Sequence, residues 1–155
     1  IQAWLVEEYS ERRESLHANL FCMKGFVTNI EQAALENEDF RRVLYTAKHC
    51  QLVVMSIPAG EDIGAETHQL DQFIRVEEGE GKSVLDGVER ELTDGSAVII
   101  PAGTHHNIIN TSQSEALKLY TVYAPPNHKD GTVHATKAEA EKDEEHFDGV
   151  TTETL

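Results

Sequence analysis

The stretch GSAVIIPAGTHHNIIN, residues 95–110, is the part of the chain that most strongly indicates its fold. An apolar, β-branched run ends at Pro101, Gly103 turns the chain, and a second apolar run follows His106. Residues 60–79 read GEDIGAETHQLDQFIRVEEG and have a similar form, with a short run between glycine turns. Each segment therefore predicts a short strand bounded by turns, with polar side chains near the strand ends.

Residues 48–124 contain a series of such runs, separated by Gly, Asp and Pro. The predicted strands cover residues 51–57, 73–76, 83–85, 88–92, 97–100, 106–109 and 117–123. Asp86 and Gly87 form a two-residue turn of the kind that favours a type I′ hairpin. Short strands that follow one another without intervening helices are typical of an antiparallel sandwich or barrel. We therefore expect an all-β, antiparallel jelly-roll barrel.

The predicted barrel is flanked by two segments of different character. Residues 1–47 mix apolar side chains with Glu and Arg, which favours an N-terminal arm in helical or extended form. Residues 125–155 form a polar, acidic tail. In this tail Thr136 and Glu139 match a capping box, and good helix formers follow them. The domain prediction is an arm at 1–47, a barrel at 48–124, and a tail with a short helix that lies on the barrel or against a neighbouring subunit.

Length and composition exclude several classes of protein. A chain of 155 residues is expected to form one domain. It has no run of ~18 apolar residues and no basic segment leading into a long apolar run, so we expect neither a membrane helix nor a retained signal peptide. With 28 acidic and 13 basic residues the net charge is −15. Such a surface repels phosphate backbones, and we expect no nucleic-acid binding.

The cysteines indicate a cellular location, and the terminal segments indicate an oligomeric state. Cys22 and Cys50 do not have the spacing of a metal site or a CxxC motif. We expect each to be a buried free thiol, which fits a reducing, cytoplasmic location. We also expect a homodimer, because the segments at both ends would cover an exposed sheet edge.

The two quoted segments resemble the two halves of the cupin signature, and the resemblance covers roughly residues 51–124. The second half of that signature is Gly, five residues, Pro-x-Gly, two residues, His, three residues, Asn. The chain matches it throughout, with Gly95, Pro101, Gly103, His106 and Asn110. The first half has glycine, histidine, histidine, glutamate and glycine positions, which hold Gly60, Glu66, His68, Gln72 and Gly79. The resemblance implies a small β-barrel around a divalent metal.

The family's usual ligands are three histidines and one glutamate. The resemblance therefore implies a metal site formed by Glu66, His68, Gln72 and His106. This set keeps one anion among four ligands, because a carboxylate has replaced the first histidine and an amide has replaced the glutamate. Side chains two apart in a strand share a face, so Glu66 and His68 should point the same way. Such ligands suit Zn, Mn, Fe or Ni. The alternative is a polar barrel mouth without a metal.

Three functions stay open. The ligand composition resembles that of the zinc site of phosphomannose isomerases, which are themselves cupins. It implies a metal-dependent isomerase or lyase, mannose-6-phosphate isomerase-like, whose substrate is a small sugar, sugar phosphate or related polar metabolite. The long active-site insertions of those enzymes are absent. Two histidines and one carboxylate also match a non-haem iron dioxygenase. The third hypothesis is a small-molecule-binding module without catalysis, because fold alone does not fix function.

For other polar residues the sequence predicts a role or an orientation. Tyr120 is the candidate proton donor, and only one of Tyr120 and Tyr123 can face the interior of a strand pair. Arg75 and Lys118 are the expected sources of positive charge for an anionic substrate. His105 should face away from the interior. The tail histidines are expected to be solvated, and they are His128, His134 and His146.

Overall fold

The computed structural model describes residues 24–154. Its strands are β1 (Arg41–Thr46), β2 (Gln51–Ile57), β3 (Glu66–Thr67), β4 (Asp71–Glu78), β5 (Gly81–Leu85), β6 (Val88–Leu92), β7 (Ala97–Ile100), β8 (His105–Asn110), β9 (Leu117–Ala124) and β10 (Val133–His134). Its helices are α1 (Ile30–Glu36) and α2 (Lys137–Ala140), and a 3₁₀ turn covers Thr152–Thr154. None of the described helices has the length and apolar character to span a membrane. Residues 1–23 of the predicted arm, with Cys22, lie outside the described residues.

The strands form two antiparallel sheets that pack face to face. One sheet has the strand order β10-β1-β2-β9-β4-β7, and the other has the order β3-β8-β5-β6. A single hydrophobic core lies between them. It joins Val53, Ile74 and Leu119 of the larger sheet to Leu92 and Ile108 of the smaller. The predicted jelly-roll barrel is confirmed.

The strand boundaries follow the sequence pattern closely. Strands β2, β6 and β7 have the predicted bounds, and β4, β5, β8 and β9 extend by one or two residues at their ends. The hairpin between β5 and β6 has the predicted turn, because Leu85 pairs with Val88 and the two residues between them have φ angles of 46° and 82°. Positive φ at both central residues is the requirement of a type I′ turn. Gly87 meets it without steric cost.

The barrel begins earlier in the chain than predicted. Strand β1 pairs with β2 and β10, so residues 41–46, inside the segment 1–47 that was assigned to the arm, belong to the larger sheet. Phe40 and Val43 are buried in the core beside it. Helix α1 precedes this strand and is capped by Asn29, whose side chain accepts a hydrogen bond from the helix backbone. The first described element that contributes to the barrel wall is therefore β1.

The C-terminal helix is present but shorter than its composition predicts. Thr136 caps α2 by accepting a hydrogen bond from the Glu139 amide, and the Glu139 carboxylate accepts one from the Ala135 amide at 2.8 Å. The helix ends at Ala140, which packs against the core, although good helix formers continue to Glu145. Repulsion among the carboxylates of this acidic segment opposes a longer helix.

Cys50 contradicts the expectation of a buried thiol. It lies in the connection between β1 and β2 and is exposed. The connection is a tight turn in which the Ala47 amide donates to the Cys50 carbonyl oxygen at 2.9 Å. A turn of this kind lies at the barrel surface, which places the thiol in solvent.

Asn110, the last residue of the second motif, ties three chain segments together. Its buried amide nitrogen donates to three backbone carbonyl oxygens at 2.8 to 3.1 Å, those of Ile57, Pro58 and Glu115. Its side-chain oxygen accepts a hydrogen bond from the Ser112 amide at 2.9 Å. The residue therefore has a structural role that accounts for its place at the end of β8.

We predict that Asn110→Asp, which keeps the shape but loses the donor, lowers the free energy of unfolding by at least about 2 kcal/mol. The buried carbonyl oxygens would lose their partner and face a carboxylate. Urea unfolding followed by circular dichroism measures the change, with Thr111→Ala at the exposed neighbouring position as the control. A loss below about 0.5 kcal/mol, the range of neutral surface substitutions, would contradict the structural role.

Candidate metal centre

The pairing of β3 with β8 creates a polar cluster inside the barrel. Glu66 on β3 is the register partner of His106 on β8, and His68 follows β3. His68 Nε2 lies 3.1 Å from Glu66 Oε2, and His106 Nε2 lies 3.7 Å from Glu66 Oε1. One ligand atom from each residue lies within 4.8 Å of the other two. These separations allow one ion to contact all three side chains.

The cluster is buried on one side and carries one negative charge. The side chain of Glu66 is 32% exposed, that of His68 is 13% exposed and that of His106 is fully buried. Burial raises the pKa of Glu66, but the neighbouring imidazoles of His106 and His68 outweigh this effect and hold the pKa at about 2. Glu66 is thus an anion at neutral pH, as a carboxylate that binds a metal must be.

The turn before β8 orients both histidines. His106 Nδ1 donates to the carbonyl oxygen of Thr104 at 2.9 Å, which leaves Nε2 facing Glu66. Burial lowers the pKa of His106, but the nearby carboxylate of Glu66 and the hydrogen bond to Thr104 raise it above its usual value. The Gly103 amide donates to the His68 carbonyl oxygen at 2.7 Å, so the same turn also holds the first motif in place. A carbonyl on the second ring nitrogen is the usual arrangement of metal-binding histidines.

Gln72 lies on the interior face of β4, and one hydrogen bond fixes the orientation of its side-chain amide. The residue is 2% exposed, and its Nε2 donates to Thr121 Oγ1 at 3.0 Å. Its Oε1 is buried and has no hydrogen-bond partner in the described part of the chain. The hydrogen bond to Thr121 therefore determines which atom of the amide is left for a ligand.

The donor atoms of the cluster fit a divalent transition metal. Two imidazole nitrogens and one carboxylate oxygen suit Zn, Mn, Fe or Ni, whereas Ca prefers oxygen ligands alone. Among residues 24–154, the buried side-chain atoms without a hydrogen-bond partner include His68 Nδ1, His106 Nε2 and Gln72 Oε1. Unpartnered buried polar atoms are uncommon in folded proteins. One of these atoms, His106 Nε2, faces Glu66 inside the cluster, which fits the presence of an ion there.

Tyr123 rather than Tyr120 faces the cluster. Tyr123 is 1% exposed, and its ring centroid lies 5.9 Å from that of His68. Strand alternation puts Tyr120 on the opposite face of β9, where its ring centroid lies 6.0 Å from that of Phe73. The structure therefore does not bring Tyr120 to the cluster. Burial raises the pKa of Tyr123, so its hydroxyl stays protonated at neutral pH.

The expected sources of positive charge are engaged elsewhere. Arg75 forms an ion pair with Glu77, and Lys118 forms one with Glu38. Each of them projects from the outer face of its strand, away from the interior. Neither can therefore supply positive charge beside the cluster. His105 is exposed, as its position in the strand predicts.

The expectation of solvated tail histidines is wrong for two of them. His128 is 4% exposed, and its Nδ1 lies 2.6 Å from Glu145 Oε1. His134 is also 4% exposed, and its Nε2 lies 3.1 Å from Asp143 Oδ2. His146 is exposed. The tail packs back on the barrel, and its carboxylates meet these histidines there.

A row of ring contacts connects the cluster to His128. The sequence alone does not predict that this histidine lies near the cluster. The centroid distances are 5.0 Å from His106 to His68, 5.9 Å from His68 to Tyr123 and 5.2 Å from Tyr123 to His128. Gln51 fixes the end of the row, because its side chain accepts a hydrogen bond from the His128 amide and donates one to the His128 carbonyl oxygen. One polar wall thus runs from the cluster of Glu66, His68 and His106 to the tail.

Comparison with known proteins agrees with this geometry. The family model described as the cupin domain matches residues 53–123. Over 125 residues the chain is 50% identical to the uncharacterized protein YrkC of Bacillus subtilis (strain 168), a match that covers 76% of this chain and 66% of YrkC. The chain therefore spans just under two thirds of the length of that relative.

Solved structures are also similar to this chain, and two of them illustrate the range of similarity. BH2720 from Bacillus halodurans aligns with a TM-score of 0.76 at 48% identity, over 79% of this chain and 97% of that chain. An RmlC-like cupin from Shewanella frigidimarina aligns with a TM-score of 0.51 at 24% identity, over 55% of this chain and 74% of that chain. The second likeness supports the fold alone. The jelly-roll, the matched domain and these relatives together show that the chain belongs to the cupin family.

Proposed function

We propose that this cupin is a metal-dependent enzyme of the isomerase or lyase type that acts on a small sugar, sugar phosphate or related polar metabolite. The observation that carries the proposal is the convergence of Glu66, His68 and His106 on one point inside the barrel. Gln72 is the proposed fourth ligand, through the buried Oε1 that its hydrogen bond to Thr121 leaves unpaired. The ion would be Zn, Mn, Fe or Ni.

Each residue of the interior has a distinct part in this proposal. A bound divalent ion supplies Lewis-acid stabilisation of negative charge on a substrate oxygen. The hydrogen bond from His106 to Thr104 fixes the imidazole, so that little reorganisation is needed when a ligand binds. Tyr123, protonated and beside His68, is placed to donate a hydrogen bond to a substrate. The buried side chains of Ile74 and Ile108 exclude water from the same interior.

The composition of the ligand set supports the isomerase class. Two histidines, one glutamate and one glutamine are the ligands of the zinc site that phosphomannose isomerases use. The present chain lacks the long active-site insertions of those enzymes. We therefore propose the class of chemistry and do not extend the proposal to mannose 6-phosphate.

A second candidate function is that of a non-haem iron dioxygenase. The observation that favours it is the grouping of two histidines and one carboxylate within 4.8 Å, which is the ligand set of many iron oxygenases. The identity of the retained metal separates the two candidates. Zinc or manganese, with turnover of a sugar or sugar phosphate and no oxygen uptake, supports the isomerase or lyase. Iron with substrate-dependent oxygen uptake supports the dioxygenase, and ligand binding without turnover supports neither.

We predict that the purified, tag-free protein binds about one equivalent of a divalent metal and that His106→Ala weakens this binding by at least about a hundredfold. The reason is that the buried imidazole is a direct ligand and removal of even an outer partner costs about 10–100-fold in affinity. Elemental analysis after dialysis measures the content. His105→Ala is the matched control, because His105 is the exposed neighbour on the same strand. Equal metal content in the two variants would contradict the site.

We also predict that Gln72→Leu, which keeps the side chain buried but removes both polar atoms, weakens metal binding by about tenfold or more. Competition with a chromophoric chelator measures the dissociation constant. Thr121→Val removes only the hydrogen bond to the Gln72 amide and should have a smaller effect. If Gln72→Leu binds the metal as tightly as the unaltered protein, then Gln72 is not a ligand and the site has three protein ligands.

A further inference from the structure

The outer face of the larger sheet has an apolar row that crosses five neighbouring strands, from β1 to β7. The strand register places each member beside the next, and the members are Tyr45, Leu52, Val122, Phe73 and Ile99. We call these five residues the outer row. Along β4 and β7, Phe73 and Ile99 alternate with the core residues Ile74 and Ile100, so they point away from the core. Ile99 lies on the edge strand of the sheet and is 67% exposed.

The described part of the chain covers this face only in part. Helix α1 packs on β2, β4 and β9 and buries Ala34 completely. At one end of the outer row Phe26 stacks on Tyr45, with 5.5 Å between the ring centroids. At the other end, beside Ile99, lies an open depression of about 360 Å³ whose apolar walls include Phe73, Pro101, Val122 and Ala124. An exposed apolar face of this kind marks an interaction surface.

Two charged side chains flank the outer row on β4. Asp71 precedes Phe73 by two residues and Arg75 follows it by two, so all three share the outer face. The Asp71 carboxylate accepts a hydrogen bond from the Ala102 amide at 3.0 Å, and Arg75 forms an ion pair with Glu77. These contacts hold one negative and one positive side chain on opposite sides of the row.

This pattern is complementary to itself under a two-fold axis that runs along the outer row. Such an axis lays each row on the row of a second copy and sets β4 antiparallel to the partner's β4. Sheets that pack face to face in this way keep their strands within about 30° of each other. Asp71 then lies opposite the partner's Arg75. On β9, Tyr120 pairs with Arg75 and Ala124 pairs with Asp71, so the large Tyr120 lies opposite the partner's small Ala124.

Charge distinguishes this arrangement from the other simple one. A two-fold axis along β4 itself would set Asp71 opposite the partner's Asp71 and Arg75 opposite the partner's Arg75, and like charges in contact are unfavourable. The net charge of −15 also makes two chains repel each other in most orientations. The outer row has no charged member, and the charges of Asp71 and Arg75 cancel. Contact through this face therefore removes apolar surface from water with the least repulsion.

We infer that the outer row binds a second copy of this chain, face to face, in a dimer whose two-fold axis runs along the row. The homodimer expected from the sequence thus forms through a sheet face rather than through a sheet edge. The interface lies on the side of the larger sheet that faces away from Glu66, His68 and His106. The inference is therefore independent of the proposed metal site and of the proposed reaction.

Sedimentation velocity of the whole chain over a range of protein concentrations tests this inference. We expect the unaltered protein to form a dimer and Ile99→Glu to raise the dissociation constant by at least about a hundredfold. A two-fold interface loses the contact twice, and each loss of a central apolar contact is worth about tenfold. Val88→Glu is the matched control, because Val88 is 51% exposed on β6 of the other sheet and the substitution adds the same charge. Its dissociation constant should stay within about twofold of the unaltered value.

A second variant tests the arrangement of the two copies. Asp71→Arg brings a positive charge opposite the partner's Arg75, so we expect it to weaken the dimer by about tenfold or more. The lower net charge alone predicts the opposite result, a tighter dimer. Glu91→Arg, at an exposed position of β6, changes the net charge equally and should not weaken the dimer. Equal dissociation constants for Asp71→Arg and Glu91→Arg would overturn the inference.

Hydrogen exchange of the unaltered protein guards against variants that fail to fold. The amides of β7, at the edge of the proposed interface, should gain protection as the protein concentration rises, and those of β6 should not. Protection gained in β6 alone would overturn the inference. A monomer at every concentration, or an unchanged dissociation constant in Ile99→Glu, would also overturn it.

Discussion

The pairing of β3 with β8 is the constraint on which the interior of this barrel depends. It is only two residue pairs long, and it sets Glu66 opposite His106. Because side chains alternate along a strand, a shift of β3 by one residue would turn Glu66 outward and bring Thr67 inward in its place, opposite His106. The hydrogen bond from the Gly103 amide to the His68 carbonyl oxygen holds the short strand in this register. The two sequence motifs thus act together, because each fixes the position of a side chain in the other.

Most of the fold could be predicted from local pattern, and the residues of the cluster from the resemblance to the cupin signature. The barrel strands have period-two burial and are bounded by turn residues, which is a signal that a single sequence contains. The sequence also contains a signal that distinguishes the two tyrosines of β9. Leu117 and Leu119 share a face with Tyr123, whereas Lys118 shares a face with Tyr120. Apolar neighbours of the same parity indicate the interior residue.

The remaining interior residues could not be predicted, because tertiary contacts alone define them. Arg41 begins a strand that opens with two arginines, and its position depends on pairing with β10, which lies far along the chain. His128 is buried because the tail returns to the barrel and Glu145 meets it there. A polar tail with these histidines looks solvated until its path is known. Together with Tyr123, His128 continues the polar wall from the cluster of Glu66, His68 and His106 to the tail.

X-ray absorption spectroscopy of the zinc-loaded protein is the most direct test of the central claim, that one ion binds among Glu66, His68 and His106. The account predicts a first shell of nitrogen and oxygen atoms at about 2.0–2.1 Å, together with the outer-shell scattering of two imidazole rings. A first shell of oxygen atoms without imidazole scattering would contradict it, since that is the signature of an ion held by the acidic surface.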